Sequence, residues 1–454
     1  MRALLINPWI YDFAAYDLWL KPFGLLRVGA LLRECGWDVD FIDCLDRFHP
    51  RLPEFSGGRY PRRDRFGRGK FFKTEVAKPS SLGNIERRYF RYGIPLELFQ
   101  YEIGRIERPD LILVGSTMTY WYPGYFLAIK LAREYFSQTP IILGGIYPSL
   151  CTVHSRKYSG ADEVHNGGGF AELAKLIIAL GFHIPPIPPE RDITPAYDLL
   201  SDRSALAVRT GLGCPYSCSY CAASLLEPRL LQRNPKSVAG EIEGYVRQYG
   251  TTDIAFYDNA LLFNADNHLN RILSLLIKRK ISCRFHTPNG LHARLLSEET
   301  AHLLKESGFI GPRLSLESAR EERQKQTGGK VVNRDLIQAL DYLEAAGFKR
   351  SEVSVYLMFG LPGQTPAEVE TDIRLFTGWN NCHLAAYSPI PGTKDYAQLL
   401  REGIIEEDMD PLRQNNTIFC IQQKIFSFSS IRELRNMASE FNRVVQLETL
   451  IPAC

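Results

Sequence analysis

Short apolar runs alternate with amphipathic stretches along most of the chain, and the alternation falls into two stretches. In the first, runs at 2–7, 38–42, 111–115, 141–143 and 163–165 are separated by segments of helical period at 23–34, 124–134 and 170–179. Five strands interleaved with helices predict an open, doubly wound, Rossmann-like α/β sheet. In the second, runs at 205–208, 253–257, 283–287, 313–316, 353–359 and 383–387 alternate with amphipathic segments at 237–248, 266–278, 297–307, 335–346 and 366–377. Six such units in one run predict parallel strands curling into a barrel or part of one, with chemistry at the strands' C-terminal ends. The proline-rich stretch 184–189 reads as a linker, and past residue 396 the pattern turns helical, with 430–448 amphipathic. The organisation expected is therefore a domain at 1–180, a linker at 181–200, a barrel at 201–398 and a small helical tail at 399–454.

Just after the first barrel strand stand three cysteines in eight residues, Cys214, Cys218 and Cys221. A structural zinc ion wants four protein ligands, and the next His or Cys is His268. A redox pair of Cys218 and Cys221 leaves Cys214 without a role. Thiolates are soft ligands, and an iron-sulfur cube held by three of them keeps one iron open for another ligand. The other seven cysteines are scattered, so no second cluster is expected.

With Tyr220 just before the last cysteine, the motif resembles the signature of the radical S-adenosylmethionine (SAM) superfamily. The resemblance covers about residues 201–398 and implies a partial (β/α)6 barrel of the TIM type. It also implies a 4Fe-4S cluster on Cys214, Cys218 and Cys221, whose open iron takes the methionine end of SAM and whose electron yields a 5'-deoxyadenosyl radical. Later segments are similar to the family's SAM contacts in the same order. Asp258 and Asn259 end the second strand; Ser315 and Glu317 lie in the fourth-strand motif, and Gly360 opens the fifth-strand turn. Tyr220, Asp258, Asn289, Ser315, Glu317 and Gly360 are the implied SAM residues, although Asn289 in Pro-Asn-Gly also reads as an ordinary turn.

The loops expected at the ligand edge of the N-terminal sheet are small and polar, and glycine there lets a ligand approach the backbone. No G-x-G-x-x-G opens the first helix, which disfavours a dinucleotide. A sheet of this kind followed by the cysteine motif resembles the cobalamin-binding branch of the superfamily. That resemblance implies cobalamin as second cofactor, with Ser116, Thr117, Gly144, Gly145, Gly167 and Gly168 around it. Residues 22–32 also look like the branch's first helix. The D-x-H-x-x-G motif that supplies a lower cobalt ligand is absent, for the first strand runs into Asn7-Pro8-Trp9. His154 and His165 lie near the ligand edge, and both read first as structural.

An insertion spanning about 46–92 carries seven basic residues and one acid between Arg59 and Lys73, interleaved with Tyr60, Phe66, Phe71 and Phe72. It reads as a solvated, partly ordered loop, with a lid or nucleic-acid contact as the other options. With 54 basic against 51 acidic residues the net charge is only +3, so a dedicated nucleic-acid protein is not expected. No secretory leader or long apolar run is read, and the chain is expected in the cytoplasm without a membrane span. The enzyme implied methylates an unactivated carbon or phosphorus centre of a small molecule or peptide, with flavodoxin or ferredoxin as electron donor. A non-methylating rearrangement or cyclisation, or a vestigial cobalamin domain, is the alternative, and a zinc-stabilised RNA-binding module a more distant one. Tyr257, His286, Tyr356 and Tyr387 are the barrel-mouth candidates for substrate contact, with core packing as the competing reading.

Overall fold

The computed structural model describes residues 1–186, 189–190, 193–375 and 380–448. Ile187 and Pro188 of the linker run, Thr377 at a predicted helix end, and Cys454 lie outside the described residues. The chain forms two compact units, Met1–Arg203 with Asp410–Gln414, and Ser204–Met409 with the chain from Asn415 onward.

The first unit is built on a five-stranded sheet in the order Asp38–Asp43, Arg2–Asn7, Leu111–Val114, Ile141–Leu143, Glu163–Val164. Every pairing is parallel. Strand alternation sorts the apolar side chains into two cores, one per face. Leu4, Ile6, Ile112 and Val114 pack with Tyr125 of helix Tyr122–Tyr135 on one side. Ala3, Leu5, Leu111 and Leu113 pack on the other with Leu32 of helix Phe23–Glu34 and Leu173 of helix Gly169–Ala179. Strand order reverses beside the first strand, which places Asn7 at the crevice where open α/β sheets hold ligands.

The insertion differs from the expected solvated loop. Tyr89–Tyr92 is the centre of an antiparallel sheet flanked by Ile10–Asp12 and Lys73–Val76. All four central residues are buried, so no polar alternation marked this strand in the sequence. The basic stretch is tied down by the chain's own groups. Trp19 Nε1 donates to the Phe66 carbonyl at 2.7 Å, Arg47 pairs with Asp17 at 2.8 Å in a buried contact, and the Arg63 guanidinium lies 5.1 Å from the Phe48 ring. Arginine facing aromatic rings here serves internal packing.

In the second unit, Ala205–Val208, Asp253–Phe256 and Arg284–His286 pair in parallel, as do Leu291–His292, Arg313–Glu317, Ser354–Phe359 and Asn381–Ala386. A parallel bridge between Phe285 and Phe309 extends the third strand's contacts. The six expected strands appear in order within two residues of their expected ends. Along the last one, helix Phe428–Glu448 satisfies the edge: Asn442 accepts from the Cys382 N–H at 2.7 Å and donates to its carbonyl at 2.9 Å. Among the described residues no helix is long and apolar enough to cross a membrane.

Candidate active site

The cysteine loop leaves the first barrel strand through a pinched neck. Gly211 and Leu212 pair antiparallel with Gln232 and Leu231. Gly213 follows at φ +80°, and a Cβ there would lie 2.5 Å from the Arg229 carbonyl oxygen, so only glycine passes. Beneath the neck the buried Asp258 carboxylate accepts from the Thr210 N–H at 3.0 Å, the Thr210 hydroxyl at 2.7 Å and the Gly211 N–H at 2.8 Å. Burial raises its pKa and these bonds pull the other way. Glu227 closes the loop's far side, accepting from the Gly213 N–H at 3.0 Å and from Asn259 at 2.9 Å.

The loop is also stitched to later strands. Ser219 donates its N–H to the Thr327 carbonyl at 3.2 Å, and its own carbonyl accepts from the Asp395 N–H at 3.0 Å. Gly328, at φ +110°, faces the Cys218 Cα so closely that a Cβ would sit 3.2 Å from it. Cys214, Cys218 and Cys221 are free thiols of intermediate exposure. Among the described residues no three His, Cys, Asp or Glu side chains converge as a single metal ion requires. Zinc holds its sulfurs in one tight shell, whereas the irons of a cube each take their own thiolate. This donor set, three soft sulfurs from one loop, fits the cube.

Glu317 ends the fourth strand beyond a register shift after Ser315, in a left-handed conformation at φ +72°. The Tyr220 hydroxyl donates to its Oε1 at 2.9 Å, and Lys330 Nζ donates to the same oxygen. Burial lowers the Lys330 pKa, but Glu317 and Cys218 outweigh it and the ammonium is held charged. Burial raises the Cys218 thiol, and the Lys330 charge offsets only part of that rise. His292 stacks on Tyr216 at 5.1 Å, with its Nε2 4.0 Å from Cys214 Sγ. Burial, then the Lys330 charge, push this imidazole down to about 3.

The remaining sequence-implied SAM residues fall around this centre in different ways. Asn289 donates to the carbonyls of Tyr257 and Asp258 at 3.1 and 3.3 Å, joining the ends of the second and third strands. Ser315 lies behind Gly290, where a Cβ would come within 2.8 Å of its Oγ. Gly360, at φ +85°, faces Cys420, whose Sγ would be 2.2 Å from a Cβ. Lys330, Glu227 and His292 escaped sequence reading, because Lys and Glu at such positions look like surface charge and a lone His like core.

In the first unit, Ser116 Oγ donates to the Gly144 carbonyl at 2.7 Å and accepts from the Tyr147 N–H at 3.2 Å. This fixes the turn joining the third and fourth strand ends. Gly145, at φ +103°, packs against the Ser116 backbone. The Thr117 N–H donates to the Tyr125 hydroxyl at 3.0 Å. Gly167 and Gly168 both take positive φ in the next loop. Beside them, a Cβ on Gly144 would meet no atom closer than 3.8 Å, which leaves backbone open to approach. Asn7, Lys21, Ser116, Thr117 and Trp121 line a small cleft at the strand ends. Both histidines are engaged within the chain: His154 with the Tyr147 hydroxyl at 2.5 Å, and His165 with the Gly169 carbonyl at 3.0 Å.

Residues 208–376 match the family described as the Radical SAM superfamily. The barrel with its cysteine loop is therefore a radical SAM domain. An uncharacterised methyltransferase of Pyrococcus horikoshii is 25% identical over 66% of this chain and 72% of its own length. The anaerobic magnesium-protoporphyrin IX monomethyl ester cyclase of Rubrivivax gelatinosus is 22% identical over 66% of this chain, which spans about half, 55%, of the cyclase. Among solved structures, the radical SAM methyltransferase TsrM of Kitasatospora setae, with tryptophan substrate and a SAM analogue, superposes with a TM-score of 0.63 at 17% identity, covering 88% of this chain and 76% of TsrM. The cobalamin-dependent SAM radical enzyme OxsB, with aqua-cobalamin and SAM bound, gives 0.56 at 13% identity over 93% of this chain and 56% of OxsB. Residues 208–376 belong to the radical SAM superfamily, and the chain has the fold of these cobalamin-dependent radical SAM enzymes.

Proposed function

We propose that this enzyme methylates an unactivated carbon or phosphorus centre of a small molecule or peptide, using SAM, a 4Fe-4S cluster and cobalamin. The observation that carries this reading is the cysteine loop pinned to the fourth-strand Glu317 through Tyr220, in a chain whose other unit carries a Ser116/Gly144 turn at its strand ends. When bound, the cluster supplies the electron that cleaves SAM, and cobalamin supplies the methyl carrier.

The chain's own residues bind and orient. Cys214, Cys218 and Cys221 hold the cluster; Glu317 and Lys330 offer an acceptor and a cation beside it for the amino and carboxylate groups of SAM. Asp258 and Asn289 shape the strand ends that form the floor. Ser116, Thr117, Gly144, Gly145, Gly167 and Gly168 provide a backbone-lined edge for cobalamin without an imidazole ligand. A cytoplasmic setting with a flavodoxin or ferredoxin donor completes the proposal.

Anaerobic reconstitution with iron and sulfide tests it. Cluster absorbance, 5'-deoxyadenosine release and cobalamin retention are the expected results; zinc in place of iron would sink the reading. Incubation with methyl-deuterated SAM distinguishes methyl transfer from the cyclisation that the cyclase relative favours, because only the former leaves deuterium in the product.

A further inference from the structure

Along Ser354–Phe359 exposure alternates, with Ser354, Tyr356 and Met358 half-exposed and Val355, Leu357 and Phe359 buried. Pairing sets Ser315 and His383 beside Tyr356, and Arg313 shares Ser315's side of its strand. The half-exposed side is the barrel interior, because the Tyr356 hydroxyl reaches across to the Pro288 carbonyl beyond the third strand, at 3.4 Å. A packed barrel fills such positions with branched apolar residues. Here they are Arg313, Tyr356 and, exposed on the last strand, His383.

Arg313 donates to the Tyr356 hydroxyl at 2.7 Å, and its guanidinium lies 5.8 Å from that ring's centre. Among the described residues no Asp or Glu pairs with it. A guanidinium carries five N–H donors, and this one spends a single donor on a neutral partner. His383 meets the Tyr356 ring edge-on at 4.9 Å. Burial and the Arg313 charge both lower its pKa, so it faces the arginine as a neutral ring. A half-buried cation without a carboxylate leaves its desolvation uncompensated unless an anion arrives.

We propose that Arg313, with Tyr356 and His383, anchors an oxyanionic group of the substrate, a carboxylate or a phosphate, inside the barrel. The fork of a guanidinium grips either group through paired N–H donors. Arg313 lies at the opposite end of its strand from Glu317, so the anchor would hold the far end of the substrate while its reacting atom faces the SAM side. This assignment of substrate class rests on the methyl-transfer reading only for the identity of the bound molecule.

The test is fluorine NMR of the purified chain titrated with 4-fluorobenzoate, 4-fluorophenyl phosphate and 4-fluorobenzylamine. One or both anions should bind and the amine should not, and the arm that binds more tightly identifies the oxyanion. Arg313→Gln should weaken anion binding about tenfold or more, and His383→Ala by a smaller factor. Circular dichroism establishes that each variant folds; should Arg313→Gln fail to fold, Arg313→Lys, which keeps charge but loses the fork, should still weaken binding. No anion binding by the wild-type chain, or equal affinity in the folded Arg313 and His383 variants, overturns the proposal. Binding here needs no turnover, so absence of SAM cleavage would count against the enzymatic reading and leave this one standing.

Discussion

The Tyr220 hydroxyl donates to Glu317 Oε1 at 2.9 Å across 97 residues of sequence, fastening the cysteine motif to the end of the fourth strand. Glu317 is one of five non-glycine residues with positive φ among the described residues, a conformation costing about 1–2 kcal/mol. Tyr220 and Lys330 converging on one of its oxygens offset that cost and fix where its carboxylate points.

Removing the cation from this trio should be expensive. Lys330→Met leaves the buried Glu317 carboxylate with Tyr220 as its remaining side-chain donor, and a buried pair broken from one side loses about 3–5 kcal/mol. Chemical denaturation of the apo chain should show a loss of that order. A change under about 1 kcal/mol would mean that solvent screens the Lys330–Glu317 pair.

Cys218→Ala should abolish iron binding and SAM cleavage while leaving the first unit folded, because that unit's two cores contain no residue of the cysteine loop. Iron content and 5'-deoxyadenosine read the first effect, and limited proteolysis of residues 1–203 reads the second. Retained SAM cleavage would refute the ligand assignment.

The neck of the loop permits a matched pair of glycine variants. Gly213→Ala meets both a positive φ and a carbonyl oxygen 2.5 Å from the new Cβ, whereas Gly250→Ala meets a positive φ with open space around it. The second should cost about 1 kcal/mol and keep full iron loading. The first should cost more, about 2–3 kcal/mol, and lower the iron bound after reconstitution. Equal effects would show that the neck relaxes freely.

Acid should expose the second strand's anchor. Burial opposes ionisation of Asp253, but hydrogen bonds from His286, Arg284 and Thr252 overcome it and hold the carboxyl at about 2. A carboxyl depressed in the folded chain stabilises above its unfolded pKa, and that stability is lost as pH falls from about 4 through 2. Apo-chain unfolding free energy should therefore fall by about 2 kcal/mol across this window from this group. In Asp253→Asn that part of the slope should vanish; an unchanged slope would assign the acid sensitivity elsewhere.

Bound cobalamin, reduced to the cobalt(II) state, should show no nitrogen splitting from a protein imidazole in its electron paramagnetic resonance spectrum. The two histidines near the edge are hydrogen-bonded within the chain, so His154→Ala and His165→Ala should leave the spectrum unchanged. Splitting that disappears in either variant would make that residue the ligand.

Much of the architecture was legible because strand and helix burial leave short-range periods. The runs at 2–7, 111–115 and 313–316 mark strands whose neighbours need not be known. The insertion shows where this fails: Tyr89–Tyr92 is buried throughout, preceded by Arg87 and Arg88 and interrupted by Arg91, so neither alternation nor polarity separated it from a loop. Asp258 shows a different limit. Its place at the second strand's end was readable, but its bonds come from Thr210 and Gly211, 48 and 47 residues away.

By itself the sequence determined the order of elements and the three thiols, since both rest on residues close together in the chain. Which face each side chain turns to, and what meets it there, was decided by tertiary structure. Lys330 on Glu317, Tyr220 on the same oxygen, and Arg313 on Tyr356 without a carboxylate are long-range pairings. They depend on strand register and on a bulge after Ser315, and a one-residue shift would turn those side chains to the opposite face.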